Sequence, residues 1–292
     1  MIRLPAADIR RAVRQGLEED LGEGDVTTSA LFPSPIPARA NIIAQQPLVV
    51  AGMAAAVQTF VTVDPSLNLS VLRKDGSQAK KGDTLLRIEG DGRSILMAER
   101  LALNFLQHLS GIATLTQQFC QAVRGNRVAI LDTRKTLPGW RAIQKWAVAL
   151  GGGKNHRRSL RDGILIKDNH LLLLNQKEAV REATRLAKSK APSGMQTIVE
   201  VESLDEVTQA IAGKADIILL DNMTPARVRK AVRLIKKRAL VEVSGGITLK
   251  NIRVMAAAGP DRISIGALTH SAPATTMTLE FEPYPKGHKK HR

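Results

Sequence analysis

The sequence has one cysteine, few aromatic residues and no long uninterrupted apolar run in its 292 positions. The single cysteine, Cys120, excludes an internal disulfide and any zinc cluster built on cysteines, and we assign it no role. No apolar stretch is long enough to span a bilayer, and the charges near the amino terminus are too frequent for a signal peptide. We therefore expect a cytoplasmic globular protein without a membrane partner.

The excess of basic residues raises the question of a nucleic-acid partner. The formal net charge is +16, and part of it lies in the segment 285–292, which we expect to be a solvated, flexible end. Aromatic residues make up only 3% of the chain, so stacking platforms for single-stranded nucleic acid are scarce. No zinc-finger or RRM signature is present. A noncatalytic basic protein that binds nucleic acid remains the less favoured alternative.

The chain changes its pattern near residue 111. Before that point, predicted strands at 38–44, 47–52, 68–73 and 84–90 are mixed with predicted helices, including one at 53–63 and one at 93–109. We place a first domain at 1–111. Gly111 would mark a kink or a break before a further helical segment at 112–125.

Six short apolar runs follow Arg127 and alternate with helical stretches, which is typical of repeated βα units and a parallel sheet. They lie at 128–131, 164–166, 197–202, 216–221, 240–245 and 262–266. Each run ends in polar, charged or glycine residues, and the active face of an α/β barrel lies at the carboxyl ends of its strands. A doubly wound open sheet would place residues similarly. However, no GxGxxG motif follows the first strand.

The region 132–170 concentrates cationic side chains around a glycine cluster. Its parts are DTRKTLPGWR (132–141), GGGKNHRRSLRDG (151–163) and ILIKDNH (164–170). Arginine binds a carboxylate or phosphate through two parallel hydrogen bonds, lysine supplies a mobile charge, and glycines let backbone N–H groups approach a phosphate. One arginine alone is more often a solvated surface charge. The density of the cluster predicts a site for a small polyanion.

These segments resemble the quinolinate phosphoribosyltransferase family. The three segments just named, together with VEVES, ILLDNM, VEVSGGI and SIGALTHSA, stand in the order and approximate spacing of that family. The likeness runs from about Ile9 to Phe281. It implies transfer of a phosphoribosyl group from phosphoribosyl pyrophosphate to quinolinate with decarboxylation. The products would be nicotinate mononucleotide, pyrophosphate and CO2, in NAD biosynthesis.

The resemblance also implies an α/β architecture. An amino-terminal α/β sandwich would be followed by an incomplete, six-stranded α/β barrel at 112–269 that carries the active site. The segment 270–292 would pack back on the first domain. The family resemblance further implies a homodimer with shared active sites.

Residue roles carried over from the family fall into two groups. The expected quinolinate ligands are Arg100, Thr133, Arg134, Lys135, His156, Arg157 and Lys167, with Arg100 reaching into the neighbouring subunit's site. The expected ligands of phosphoribosyl pyrophosphate are Lys167, Glu200, Asp221, Ser244, Gly245, Gly246 and Gly266. Lys135, Lys167, Glu200 and Asp221 would be catalytic. Glu200 and Asp221 would also hold Mg²⁺, directly or through water, because hard cations take oxygen ligands.

A related transferase that acts on nicotinate or another pyridine carboxylate is the remaining enzymatic alternative. A diacid needs more cationic partners than a monoacid. The number of arginines and lysines in the motifs favours quinolinate.

Overall fold

The protein is described by a computed structural model that covers residues 4–282, so the basic segment 285–292 lies outside the described residues. The chain forms two compact units. Among the described residues, the first contains 4–115, 138–151 and 272–282, and the second contains 116–137 and 152–271. Within 4–282, no helix has both the length and the apolar character needed to cross a membrane.

The helices, in chain order, are α1 (Ala6–Asp20), α2 (Val26–Leu31), α3 (Met53–Val63), α4 (Gly92–Ala122), α5 (Arg141–Leu150), α6 (Asp168–Leu174), α7 (Ala179–Lys190), α8 (Leu204–Ala212), α9 (Pro225–Ile235), α10 (Ile252–Ala256) and α11 (Ala267–His270). The strands are β1 (Pro37–Ala44), β2 (Leu48–Val49), β3 (Asn68–Val71), β4 (Gln78–Ala79), β5 (Thr84–Asp91), β6 (Ala129–Leu131), β7 (Ile164–Ile166), β8 (Thr197–Val201), β9 (Ile217–Asp221), β10 (Leu240–Ser244), β11 (Arg262–Ser264) and β12 (Met277–Phe281).

The first unit is built on an antiparallel sheet with strand order β12-β1-β5-β3. On β1, the buried residues Ala40, Ile42 and Ala44 alternate with more exposed ones, as expected for a strand with one face on a core. That face belongs to an apolar cluster with Phe60 of α3 and Leu106 of α4. The short strands β2 and β4 form a separate pair.

Gly111 has a packing role that the sequence did not predict. It lies within α4, so of the expected kink or break at this position, the break is not observed. A Cβ atom at Gly111 would lie 2.2 Å from the carbonyl oxygen of Pro273. The glycine therefore allows the segment that leads into β12 to cross directly over the helix.

The carboxyl-terminal part of the described chain adds a strand to the first unit. β12 pairs antiparallel with β1, from Ala40 opposite Phe281 to Ala44 opposite Met277. The side chain of Gln107 on α4 donates a hydrogen bond to the carbonyl oxygen of Met277 at 3.0 Å.

Residues 138–151 belong to the first unit, although we expected the whole of 112–269 to form the barrel. The Trp140 ring stacks on Phe105 of α4 with 4.8 Å between ring centroids. On α5, the Gln144 amide nitrogen lies 2.8 Å from His108 Nε2. These aromatic and polar contacts hold α5 against α4.

The second unit contains a parallel sheet with strand order β6-β11-β10-β9-β8-β7. Each of the six predicted apolar runs contains one of its strands. β6 pairs with β11, the last strand of this sheet in sequence, while β6 and β7, which follow each other in sequence, form the two edges of the sheet. This order is that of a barrel opened between its first two strands, so an incomplete six-stranded α/β barrel is confirmed.

Backbone groups from 152–154 cover the open edge of β6. The Lys154 N–H donates to the carbonyl oxygen of Ile130 at 2.8 Å, and its carbonyl oxygen accepts from Asp132 N at 3.2 Å. This bridge satisfies edge groups that would otherwise lack a strand partner. It also anchors the start of the NHR segment beside the strand ends.

Candidate active site

A cavity of about 390 Å³ lies at the carboxyl ends of the barrel strands. Its lining includes, from the predicted set, Thr133, Arg134, Lys135, His156, Arg157, Lys167, Glu200, Asp221, Ser244, Gly245 and Gly246. The remaining lining residues are Leu165, Leu219, Asn222, Glu242 and Ser264. Residues far apart in sequence meet here because parallel strands end on the same side of the sheet.

Lys135 follows β6, and hydrogen bonds to its own backbone groups fix its position. Its N–H donates to Thr133 Oγ1 at 3.0 Å, and its carbonyl oxygen accepts from the buried Thr269 hydroxyl at 2.7 Å. Gly266 does not line the cavity. A Cβ at Gly266 would lie 3.1 Å from Lys135 Cδ, so the glycine leaves room for the lysine side chain.

The buried Asp132 carboxylate fixes the next group of site residues. It accepts hydrogen bonds from the Asn155 side chain at 2.7 Å and from the His156 backbone N–H at 2.8 Å. Arg157 comes next in the chain, and one of its guanidinium nitrogens donates to the carbonyl oxygen of Gly163 at 3.2 Å. The DTRK and NHR motifs are therefore joined through one carboxylate.

The cationic side of the cavity brings like charges together. Burial, and after it the positive charge of Arg134, lowers the pKa of Arg157. Arginine still keeps its proton at neutral pH, so the two guanidinium groups repel each other. A bound anion would relieve this repulsion.

Lys167 and Glu200 pair across neighbouring strands. Lys167 Nζ lies 3.1 Å from Glu200 Oε2, and the Glu200 side chain is 15% exposed. The ring of His170 accepts from the Lys167 backbone N–H at 2.9 Å, which fixes the residue immediately before α6. The histidine of the LIKDNH motif thus orients the lysine of the same motif.

Asp221 and the glycine turn after β10 form another part of the cavity lining. Asp221, at the end of β9, accepts a hydrogen bond from the Asn222 amide at 2.8 Å. The glycines after β10 have positive φ values, 88° for Gly245 and 61° for Gly246. A Cβ at Gly245 would lie 2.2 Å from Asn222 Oδ1, so this turn requires glycine on both conformational and steric grounds.

Arg100 is placed differently from the other predicted ligands. It belongs to the first unit and is exposed on α4, whereas the cavity described above is formed by residues of the second unit. Its expected role depends on a neighbouring subunit and remains a prediction.

Sequence reasoning missed Glu242, which is fully buried and lines the cavity. Desolvation raises the pKa of this carboxyl, but His156, Arg262 and Ser264 outweigh that effect, and its pKa lies below the usual value. The feature of the sequence that could have identified Glu242 is a charged residue between Val241 and Val243. On a strand with two buried faces, such a residue must point toward a polar partner inside the protein.

Two domains of one enzyme family match consecutive parts of the chain. The quinolinate phosphoribosyl transferase amino-terminal domain matches residues 25–110, and the carboxyl-terminal domain of the same family matches 112–280. The chain belongs to the quinolinate phosphoribosyl transferase family.

Individual relatives support the family assignment over nearly the whole chain. The nicotinate-nucleotide pyrophosphorylase [carboxylating] of Mycobacterium leprae is 40% identical over 278 residues, which covers 93% of this chain and 96% of the relative. The probable enzyme of the same name from Methanocaldococcus jannaschii is 38% identical over 283 residues and is 97% covered. The solved structure of nicotinate-nucleotide pyrophosphorylase from Francisella tularensis superposes with a TM-score of 0.89 at 36% identity, covering 96% of this chain and 98% of that one.

Proposed function

We propose that this member of the quinolinate phosphoribosyl transferase family transfers the phosphoribosyl group of phosphoribosyl pyrophosphate to quinolinate. Decarboxylation then gives nicotinate mononucleotide, with pyrophosphate and CO2 as the other products. The observation that carries this proposal is that arginine and lysine side chains, carboxylates and a glycine turn line one cavity. The cations suit a dicarboxylate acceptor, and the carboxylates and glycine turn suit a phosphorylated sugar donor.

Arg134, Lys135, Arg157 and Lys167 are the proposed partners of the quinolinate carboxylates. Arginine and carboxylate can form two parallel hydrogen bonds, which fix the plane of the acceptor as well as its position. The repulsion between Arg134 and Arg157 would fall when a dianion lies between them. A single carboxylate, as in nicotinate, would use only part of this cationic set.

The carboxylates and the glycine turn are the proposed site for the phosphoribosyl group. Glu200 and Asp221 can accept hydrogen bonds from ribose hydroxyls. Ser244, Gly245 and Gly246 can present a hydroxyl and backbone N–H groups to the 5′-phosphate. Gly266 would contribute indirectly, through the space that it leaves for Lys135.

Magnesium fits the same carboxylates. No cluster of three or more histidine, cysteine, aspartate or glutamate side chains within 4–282 could enclose a metal ion. However, Mg²⁺ in phosphate-transfer sites keeps several waters and is often held by one or two carboxylates plus substrate phosphates. Glu200 and Asp221 supply oxygen ligands of this kind. The bound ion would neutralise the charge that develops on the departing pyrophosphate.

The proposed chemistry depends mainly on positioning and electrostatics. The pyridine nitrogen of quinolinate attacks the anomeric carbon while the bond from that carbon to the pyrophosphate oxygen breaks. No proton has to leave the nitrogen, and no covalent enzyme intermediate is required. The protein holds the two polyanions together against their repulsion and aligns the nitrogen with the anomeric carbon.

Decarboxylation follows from the charge on the alkylated ring. The bond between ring carbon and carboxylate breaks, CO2 leaves, and the cationic ring accepts the electron pair before that carbon takes a proton from solvent. The apolar side chains of Leu165 and Leu219 line the cavity. An apolar wall favours a step that disperses charge.

We also propose that the protein acts as a cytoplasmic homodimer in which Arg100 of one subunit completes the site of the other. The exposed position of Arg100 on α4 supports this assignment. Within the described residues, its guanidinium group makes no hydrogen bond or ion pair.

One assay tests the proposed function directly. Purified protein is incubated with quinolinate, phosphoribosyl pyrophosphate and Mg²⁺, and nicotinate mononucleotide and CO2 are quantified. We expect both products in equal amounts, and no turnover when nicotinate replaces quinolinate. Turnover of nicotinate alone would establish the alternative acceptor. A folded protein that forms no product from either acid would exclude the proposal.

A further inference from the structure

The segment that carries His156 and Arg157 separates two cavities. Both residues line the cavity of about 390 Å³ at the strand ends. Both also line a second cavity of about 530 Å³, which extends toward Arg161 and the loop at 192–196. The His156 side chain is only 7% exposed, and a buried polar ring needs hydrogen-bond or ionic partners within the protein. Polar contacts must hold this segment.

The His156 ring supplies one of these contacts. Its Nδ1 accepts a hydrogen bond from the Arg157 backbone N–H at 2.8 Å. A ring nitrogen that accepts a hydrogen bond carries no hydrogen of its own, so the ring proton lies on Nε2. The tautomer of His156 and the backbone position of Arg157 therefore depend on each other.

Glu242 faces the protonated side of the ring. Its Oε1 lies 3.3 Å from His156 Nε2, and its Oε2 accepts from Arg262 Nε at 2.7 Å. The carboxylate is fully buried, and within the described residues Oε1 has no hydrogen-bond partner, so its contact with His156 Nε2 is electrostatic. A carboxylate can only accept hydrogen bonds, so in this position it favours the histidine tautomer with the proton on Nε2.

We propose that Glu242 is a positioning residue for quinolinate binding, which it supports by fixing the Nε2–H tautomer of His156 and thereby the backbone and guanidinium of Arg157. This inference rests on the proposed function, because it deepens the role of Arg157 in that site. In this arrangement both ring nitrogens of His156 contact protein groups: Nδ1 contacts the Arg157 backbone N–H, and Nε2 contacts Glu242.

The Glu242→Gln substitution tests the role of the charge at nearly constant shape. A glutamine has one accepting and one donating end, whereas His156 and Arg262 both donate toward residue 242. Arg262 would attract the amide oxygen, which turns the amide NH2 toward His156 Nε2. That nitrogen would then have to accept, and the ring proton would move to Nδ1, where it meets the Arg157 N–H.

The first measurement needs no variant. Nitrogen-15 NMR of histidine-labelled protein reports which ring nitrogen carries the proton, and the His156 signals are identified by their loss in His156→Gln. We expect Nε2–H in the parent protein and a change of tautomer in Glu242→Gln. A parent ring protonated only on Nδ1 would overturn the proposal, whether or not the variant folds.

The second measurement is quinolinate binding by titration calorimetry. Glu242→Gln should bind quinolinate at least about tenfold more weakly, equivalent to about 1.4 kcal/mol. In turnover, the KM for quinolinate should rise while the KM for phosphoribosyl pyrophosphate stays within about twofold, since the glycine turn is untouched. Unchanged quinolinate affinity in a folded variant would contradict the proposal.

A second substitution can restore the contact. In Glu242→Gln/Arg262→Gln the new glutamine at 262 accepts from the amide NH2 of residue 242, so the amide oxygen of residue 242 can turn back to His156. Quinolinate affinity and the Nε2–H tautomer should both recover in the double variant. If both fail to recover while melting shows an intact fold, the role of Glu242 is structural only.

Asp216→Asn provides a matched control. Asp216 accepts from the Thr197 backbone N–H at 2.8 Å and from Lys188 Nζ at 2.6 Å, so it also bridges one cation and one further donor. It lies at the amino ends of the strands, and its loss should lower stability while leaving quinolinate affinity unchanged. A parent protein that binds no quinolinate would defeat the proposed function. A parent that binds normally, with Glu242→Gln equal to it, would defeat only the inference.

Discussion

Arg134 shows most directly what one side chain contributes to the proposed site. Arg134→Lys retains the positive charge but loses the planar fork that binds a carboxylate through two hydrogen bonds. We expect kcat/KM for quinolinate to fall at least about tenfold, which corresponds to about 1.4 kcal/mol. Steady-state kinetics at saturating phosphoribosyl pyrophosphate measure the change. The same substitution at Arg229, exposed on α9, is the control and should have no effect. A loss of less than about threefold at Arg134 would argue against a bidentate contact.

His108 makes a pH-dependent contribution to stability. Burial lowers its pKa below the usual value of 6.5, and its Nε2 accepts from the Gln144 amide. Below that pH the unfolded chain takes up a proton that the folded chain does not. The contribution of His108 to the free energy of unfolding should therefore be complete above about pH 6.5. It should be lost as the pH falls through the lowered pKa.

The His108→Gln variant tests this dependence, because glutamine does not titrate. Urea unfolding of parent and variant between about pH 7 and about pH 5 should give a shallower decline in stability for the variant. Parallel profiles would show that His108 is not the group responsible.

The chemistry of the site residues could be predicted from the sequence wherever one motif contains several side chains of the same kind. The cations of TRK and NHR and the glycines of SGG indicated an anion site, and most of them line one cavity. Glu242 was not predicted, because its role depends on His156 and Arg262, which are distant in sequence and meet it only inside the barrel. Asp132 and Thr269 act through contacts with backbone groups, which have no signature in the sequence.

At the scale of elements, apolar runs located the barrel strands more reliably than they located helix boundaries. β7 coincides with its predicted range, since the apolar run Ile164–Ile166 begins and ends where the strand does. By contrast, α4 crosses the glycine at which we expected a break. A glycine inside a helix weakens it only slightly, and the reason for this one is a segment more than 150 positions away.

Gly111→Ala should therefore destabilise the first unit, even though alanine is the better helix former. The added methyl group would meet a backbone carbonyl, which cannot rotate away as a side chain can. We expect a loss of about 1–3 kcal/mol in the free energy of unfolding, measured with urea. The control is Asn104→Ala on the exposed side of the same helix, which should change stability by less than about 1 kcal/mol. A neutral Gly111→Ala would mean that the segment at 273–274 can move aside without cost.

At the scale of the whole molecule, the first unit could not be delimited from sequence order. It combines three separate stretches of chain, and the later two join it through contacts between distant residues. β12 adds to the sheet through backbone pairing with β1, and α5 joins through Trp140 and Gln144. Periodicity predicts local elements, but it does not say which distant element they pack against.

Subunit mixing tests the proposed shared site. Arg100→Ala and Arg134→Ala should each be nearly inactive alone. In a mixed dimer of the two, one site would carry both defects and the other neither. We expect about half of the parent activity per mixed dimer, as the symmetry of an isologous dimer requires. Native mass spectrometry of differently tagged subunits would measure the fraction of mixed dimers.

The reciprocal mixture provides the control, because it contains the same two substitutions in a different arrangement. When Arg100→Ala/Arg134→Ala is mixed with the parent chain, a shared site places one defect in each active site. The mixed dimer should then be nearly inactive. If Arg100 instead served its own subunit, this mixture would keep about half of the activity and the first mixture would stay inactive. The two models thus predict opposite results for the same pair of experiments, and an inactive first mixture with an active second would reject the shared site.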